Sequence, residues 1–495
     1  MKISTKQTIK ITLFLIALFA VAGGGVLSYV FHKQVQMPQT KALDAIPTNA
    51  ALFFECTQPA DFLAFKTEAQ TLFSIFLDKQ QQENIQQIDR IIKDVKFGFD
   101  VEKYTPTFYL SAHFSRKKMT LLIGIEIDKH HNKDLKNFAQ RIETHYINKS
   151  FIYKGNKIFQ LQLDENVLYF NSQNGLLLFS FDELLLRESI DQILLKDSTL
   201  HHVVQSFAYK RDADISQRLY LQYARCEPVF KKMLEEMDSD ARIFHLLSPF
   251  SWAALNVKCK NKEFTFSGYA MIDTTVNAAK LFIHKEKMLD IGQWLPYNAQ
   301  DVFCLNAGSY KNLSQIKPYV QTSEDVLALM YPNQLISFTI NHNDSLSHAL
   351  LLVSEDVSEA AFHLFNSVGS DFADNNYRLD TFYVNTAMVG AINLNNFLVT
   401  HFSYNQHFPK LRYYTVYGDC IIFTDTKSGM IAYLQALRAG KTLKTDKAYQ
   451  ALSSYFSNQA NMLYYNASSA KNLQSIRFQY NYFSDNLFLL DAVVR

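Results

Sequence analysis

Gly440-Lys441-Thr442 carries the closing residues of a phosphate-binding loop, whose backbone N–H groups would cradle an anion. That loop needs a glycine five residues before Gly440, and Gln435 stands there inside a helical run, so the anion cradle is not formed. Ser468 to Lys471 has the serine-x-x-lysine spacing of a serine acyl-enzyme, and Ser484-Asp485-Asn486 has the type of its second element. The second follows the first almost at once, inside a closing hairpin, and no Lys-Thr-Gly strand comes after it. Ser115 to Lys118 repeats the serine-x-x-lysine spacing between two strands, where serine and lysine do not share a helix face; it reads as a solvated turn.

Metal chemistry fares no better. His130-His131, His201-His202 and the His342 and His348 pair around Asp344 lack helical i,i+4 spacing with a carboxylate on the same face, and adjacent histidines point to different sides of a helix or strand. The acidic run Glu235, Glu236, Asp238 and Asp240 lacks the glycine-containing calcium loop and reads as a solvated helix end. Cys56, Cys226, Cys259, Cys304 and Cys420 are scattered, with no CxxC, and read as small buried hydrophobes. No residue is therefore assigned a catalytic, cofactor-binding or metal-ligating role.

The elements that would have to position any such group show a repeated order. Ile46-Pro47-Thr48-Asn49-Ala50 leads into a strand at 51–54, and Leu295-Pro296-Tyr297-Asn298-Ala299 leads into another at 300–303. Proline fixes φ and asparagine bonds its local backbone, which makes each a defined corner. The first copy continues with helices around 61–77 and 83–95, strands at 107–114 and 119–127, and a helix over 133–146. The second continues with helical stretches around 313–330, strands at 335–341 and 348–353, and a helix over 357–366. Next come a strand at 175–181, helices over 182–195 and 200–207 and a strand at 219–223 in the first copy. Their counterparts are 419–425, 428–438, 448–456 and 462–466. Closing hairpins at 253–258 with 264–271, and at 476–481 with 487–494, align without a gap. The expected fold class is α+β: an N-terminal transmembrane helix followed by two tandem copies of a module of antiparallel β-sheet packed with helices. The expected boundaries are 1–10 cytoplasmic tail, 11–31 transmembrane helix, 32–44 stalk, 45–274 module 1, 275–294 an amphipathic packed connector and 295–495 module 2.

Residues 11–31, from Ile11 to Phe31, hold no ionisable group and are long enough, at about 1.5 Å per residue, to cross a hydrocarbon core of about 30 Å. Lys2, Lys6 and Lys10 precede them, which places the tail in the cytoplasm and the bulk outside. A cleaved signal peptide ending at Ala20-x-Ala22 is the competing reading, and it too exports the chain. The opening apolar segment, the Ile46-Pro47-x-x-Ala50 corner near Phe53, the Ser198-Thr199-Leu200 step between two helices and the Leu219-Tyr220 strand together resemble an uncharacterised bacterial membrane-anchored envelope family, known only as a domain of unknown function. The resemblance covers most of 45–273 and, more loosely, 295–495. It implies location and architecture and brings no catalytic residues with it.

With 495 residues, 48% of them hydrophobic, the chain has ample material for an interior. A net charge of +2, from 49 basic and 47 acidic residues, excludes a long polyanion contact, so no nucleic-acid partner is expected. Aromatics crowd the end of the chain, with Tyr464, Tyr465, Phe478, Tyr480, Tyr482 and Phe483 on the last strands and Tyr404, Phe408, Tyr413, Tyr414 and Tyr417 before them. They read first as cross-strand packing and second as a binding face. The expected function is a non-catalytic membrane-anchored periplasmic binding or scaffold protein of the bacterial envelope. The alternatives are a carrier of a lipid or other hydrophobic ligand, and an envelope hydrolase with an unrecognised site. The expected partners are the membrane, through the N-terminal helix, other envelope proteins and an apolar ligand; the expected location is the bacterial cytoplasmic membrane, single-pass, with the bulk in the periplasm.

Overall fold

Short runs of branched and aromatic residues, punctuated by Asn-Gly and Lys-Gly pairs, make this chain mainly antiparallel strand. The computed structural model describes residues 39–57, 79–93, 107–115, 118–127, 131–163, 166–196, 199–208, 217–236, 247–260, 263–275, 279–280, 282–286, 288–309, 320–322, 332–342, 345–362, 380–391, 398–400, 411–453, 455–456, 460–467, 475–484 and 486–495.

The first strands are β1 (Leu52–Cys56), β2 (Thr107–Ser115), β3 (Lys118–Glu126), β4 (Ile147–Tyr153), β5 (Asn156–Leu163), β6 (Asn166–Gln173) and β7 (Leu176–Ser180). They are followed by β8 (Gln217–Gln222), β9 (Phe250–Lys260), β10 (Glu263–Ile272), β11 (Ala299–Asn306), β12 (Val320–Thr322), β13 (Pro332–His342) and β14 (Ser345–Ser354). The last are β15 (Asp380–Val384), β16 (Ala387–Ala391), β17 (Leu398–Thr400), β18 (Tyr413–Tyr417), β19 (Cys420–Thr424), β20 (Met462–Ala467), β21 (Ser475–Ser484) and β22 (Leu487–Val494). The helices are α1 (Lys79–Lys93), α2 (Asn132–Tyr146), α3 (Glu183–Leu195), α4 (Thr199–Ala208), α5 (Tyr223–Glu236), α6 (Lys427–Arg438) and α7 (Lys447–Ser453).

The described residues fall into two compact units, one drawn from Met1–Thr48, Glu55–Ala60 and Asn84–His201, the other from Asn49–Phe54, Asp61–Glu83 and His202–Arg495. In the first unit the strands run β4-β5-β6-β7-β3-β2, every neighbour antiparallel. Two tight turns set that register. Lys154 and Gly155 have φ of 46° and 81°, and Asn174 and Gly175 have 43° and 86°, the doubly positive geometry whose twist matches the strands it joins. The helix α3 then closes the sheet's face. Asp182 caps it by accepting from the backbone N–H groups of Leu184 and Leu185, and Leu185, Leu186 and Ile190 bury against Leu122, Ile158, Leu176 and Leu178. Ala42 and Ala45, in a short 3-10 turn, join the same cluster.

In the second unit the order is β15-β16-β18-β19-β14-β13-β11-β20-β21-β22-β10-β9-β8-β1. Its first six strands, counted from β15 to β13, follow the same order as the strands of the first unit. Along the middle, β10 of the earlier sequence pairs with β22 of the later, Phe264 opposite Val494 through to Met271 opposite Leu487. Gly268 sits in that seam because a Cβ there would lie 2.1 Å from the carbonyl oxygen of Ala254. The helix α6 covers one face: Thr426 caps it, and Met430, Tyr433, Leu434 and Leu437, at helical spacing, bury against Ile336, Phe338, Leu351 and Ile422.

Three expectations need correction. The fold is dominated by antiparallel sheet, and no helix among the described residues is long and apolar enough to cross a membrane. This overturns the fold class built on a transmembrane helix with a signal-anchor role; the segment 11–31 itself lies outside the described residues. The helix expected around 313–330 is not helix at Val320–Thr322, where a short β-branched run pairs with Leu398–Thr400 as β12 and β17, and its other residues lie outside the described ones. The connector 275–294 was expected to carry a helix-like amphipathic stretch, yet its described residues are mainly irregular, with 3-10 turns at 279–280 and Ile291–Gln293. It is tied down by polar contacts instead. His284 Nε2 donates to the Asn306 carbonyl at 2.7 Å, and Asn461 Nδ2 donates to the His284 carbonyl at 2.9 Å. Likewise Asn298 reaches across to the Asn341 carbonyl at 2.6 Å rather than bonding its own corner.

Candidate functional site

The fragments that resembled chemistry turn out to be structural corners. Gly440, with φ of 65°, stops α6 while the Lys441 N–H donates to the Ala436 carbonyl, so 440–442 is a helix terminus. Ser468 to Lys471 lie outside the described residues, as do Asp485, Arg116, Lys117, His130, Asp238, Asp240 and Asp344. Ser115 and Lys118 face each other across the β2–β3 hairpin. Among the described histidines, His131 contacts Asp134 at 3.3 Å and His201 contacts Asp44 at 2.5 Å. No group of three or more His, Cys, Asp or Glu that could hold a metal occurs among the described residues.

The sequence reading missed one pair. Ser111 and His113 lie two apart on β2, hence on one face, with Ser111 Oγ 2.9 Å from His113 Nε2. This is the contact a nucleophile makes with its base. Both side chains are sealed, at 1% and 3% exposure, and burial pushes the His113 imidazole down to about 4. The ring is a poor base, and no substrate reaches it in this state; the pair serves as an internal hydrogen bond. The alternation of Phe108, Leu110 and Ala112 concealed it, because both faces of this stretch of β2 are covered.

The outer strands of the second unit present a different feature. Strand β15 pairs with β16 through Tyr383 opposite Met388, and the β16–β18 register, with Gly390 opposite Tyr414, sets Met388 beside Val416. Tyr383, Met388 and Val416 therefore form a row across three strands, exposed by 69%, 48% and 40%. The opposite face of β15 and β16 is core, with Val384 and Val389 buried in the cluster that α6 and Ile422 of β19 also join. Alternation has thus placed apolar residues on both sides. Next to the row, Gly390 lets the Tyr414 ring lie over it, where a Cβ would come within 2.4 Å, and burial raises the Tyr414 phenol. Tyr417, at the end of β18, meets Trp294 edge to face at 6.2 Å, and Gly418, with φ of 57°, makes the turn beneath that indole. The ladders among the described residues give β15 a neighbour on one side only.

Most aromatics of the closing strands are used in packing, although Phe483 of β21 is 42% exposed. Tyr464 stacks on Phe478 at 5.1 Å, Tyr465 meets Tyr449 at 5.2 Å, and Tyr480 lies 4.8 Å from Phe250. Among the described residues, the row on β15, β16 and β18 is an exposed apolar surface, whereas Tyr464, Tyr465 and Tyr480 of the closing strands are buried.

No family model matches the chain, and no curated protein matches it. Among solved structures, crystal form I of TP0453 aligns at 9% identity over 48% of this chain and 80% of that one, with a TM-score of 0.29. Crystal form III of TP0453 aligns at 11% identity over 48% and 81%, with a TM-score of 0.26. Agreement at that level does not define a common fold.

Proposed function

We propose that this chain is a non-catalytic binding or scaffolding protein of the bacterial envelope, which holds a partner protein along β15 and the apolar row beside it. The observation that carries the reading is that row: Tyr383, Met388 and Val416 side by side at a sheet margin, on the face opposite the core. Single exposed apolar residues are ordinary, but a contiguous row next to a strand that has one ladder neighbour among the described residues would combine main-chain pairing with side-chain burial. Placement in the envelope rests on the export character of the opening residues of the sequence. Carriage of an apolar ligand by the closing aromatic strands is less well supported, because Tyr464, Tyr465 and Phe478 spend their faces on one another and on Tyr449.

The test is a photo-crosslinking residue installed in the full chain in living cells at Tyr383, at Met388 and, as a control, at the exposed Glu188 of α3. The expected result is one discrete adduct shared by positions 383 and 388 and absent at 188, lost on adding Val416→Glu. Equal adducts at all three positions, or none at 383 and 388, would remove the proposal.

A further inference from the structure

The segment ahead of β1 is held to the first unit by polar contacts along its length. The Thr40 N–H donates to the Asn174 carbonyl at 2.9 Å, in the turn between β6 and β7, and Gln39 Nε2 donates to the Ile127 carbonyl at 3.4 Å, just after β3. Glu126, the last residue of β3, accepts the Ala42 N–H on Oε2 at 3.0 Å. His201, in the first turn of α4, meets Asp44 Oδ1 through Nε2 at 2.5 Å, while Asp44 Oδ2 accepts the Lys41 N–H at 3.1 Å. Between these contacts Ala42 and Ala45 are buried in the cluster that α3 closes. Gly124 makes room for them: a Cβ there would lie 3.3 Å from the Ala42 Cβ.

The bonds to the Asn174 and Ile127 carbonyls are indifferent to pH; the other two are not. His201 and Asp44 are an ion pair only while the imidazole is protonated. Glu126 faces Lys41 and Asp44 of the segment itself and Glu55 of β1, whose Oε1 accepts the hydroxyl of Tyr109 on β2 at 3.0 Å. Burial raises the Glu126 carboxyl above its ordinary 4.5, and the like charges of Asp44 and Glu55 add to this against the pull of the Ala42 N–H and Lys41. An acid raised by folding stabilises the docked state fully below 4.5 and loses that contribution as pH rises through its raised value. An ion pair that needs a protonated imidazole is lost in the same direction. A protonated carboxyl still accepts through its carbonyl oxygen, so the Ala42 bond survives protonation.

We propose that residues 39–46 are a proton-set strap, which the first unit grips while Glu126 and His201 carry protons and releases as both lose them. The strap lies between the opening residues of the sequence and the first unit, so pH sets how closely the two are coupled. This inference is independent of the row on β15.

Amide hydrogen exchange in the full chain between about pH 5 and about pH 8, corrected for intrinsic chemistry, tests it. The expected result is that protection of 39–46, relative to the amides of β7, falls at least about tenfold from the lower pH to the higher. Comparison with β7 separates the strap from the unit as a whole, because His113, held neutral by burial, moves the unit the opposite way and weakens it in acid. Glu126→Gln and His201→Gln together should remove the slope, since the carboxamide oxygen still accepts the Ala42 N–H and neither new side chain titrates. Strap protection that is level with pH, or that merely follows β7, or a slope kept by the double variant, would overturn the proposal. If the double variant does not fold, the comparison of strap with β7 in the unaltered protein decides.

Discussion

Tyr223, the first residue of α5, and Tyr480 of β21 bring residues 257 positions apart into one hydrogen bond, 2.6 Å between hydroxyls. Both rings lie against Phe250, at 5.5 Å and 4.8 Å, and burial raises both phenols, so each stays neutral at any pH the fold survives. Replacing either tyrosine by phenylalanine strands the other hydroxyl in an apolar shell. A stranded buried hydroxyl costs about 1 to 3 kcal/mol, whereas removing both polar atoms together is nearly neutral. Tyr223→Phe and Tyr480→Phe should each lower stability by about 2 kcal/mol, and the double variant by less than about 1 kcal/mol. The coupling energy is then about 3 kcal/mol, at the upper end of what contacting residues show. Urea unfolding of the four proteins, followed by near-ultraviolet tyrosine dichroism and with unchanged m-values, measures the cycle. Additive single effects, or a double variant as unstable as the sum, would mean that the hydroxyls do not satisfy each other and that the seam is packed otherwise.

Other consequences can be measured separately. His113 is held neutral with its imidazole pushed down to about 4 from an ordinary 6.5, so between those values the unfolded chain takes up a proton that the folded chain refuses. Stability of the first unit should be level above about pH 6.5 and fall as pH drops toward 4, by about 3 kcal/mol, and His113→Gln should flatten that slope in exchange rates of β2 amides corrected for intrinsic chemistry. In the second unit the sign reverses: burial raises the Asp491 carboxyl to about 6, so its contribution is fullest below 3.8 and is lost as pH rises through 6, and Asp491→Asn should remove that trend from β22. Burial pushes the Cys226 and Cys420 thiols up to about 12, so native iodoacetamide labelling at pH 8 should mark half-buried Cys259 first and reach those two only on unfolding; equal labelling rates would contradict their burial. Gly268→Ala should cost about 3 kcal/mol by driving a methyl into the Ala254 carbonyl, while Gly155→Ala, in open space but at positive φ, should cost about 1 kcal/mol in the same urea assay.

How much of this was legible in the sequence depended on whether the signal was local. The strands around β13, β14, β19, β20 and the two closing hairpins were readable to within a few residues, because alternation and turn residues are written into neighbouring positions. The strands β4, β5 and β6 went unread, although Lys154-Gly155 and Asn174-Gly175 between apolar runs are the usual mark of a tight hairpin. The functional features were out of reach for a different reason. Tyr383, Met388 and Val416 become a row only through the pairing register of three strands, and each alone looks like any apolar strand residue. Residues 39–44 read as the end of a polar stalk, and nothing beside them in sequence reports that Glu126 and His201 fold against them. Glu126 lies 84 positions beyond Ala42 and His201 lies 157 beyond Asp44, so the grip on this segment is made by a strand and a helix far along the chain. A feature that depends on where distant elements land is a property of tertiary packing, and in this chain both the surface row and the strap are of that kind.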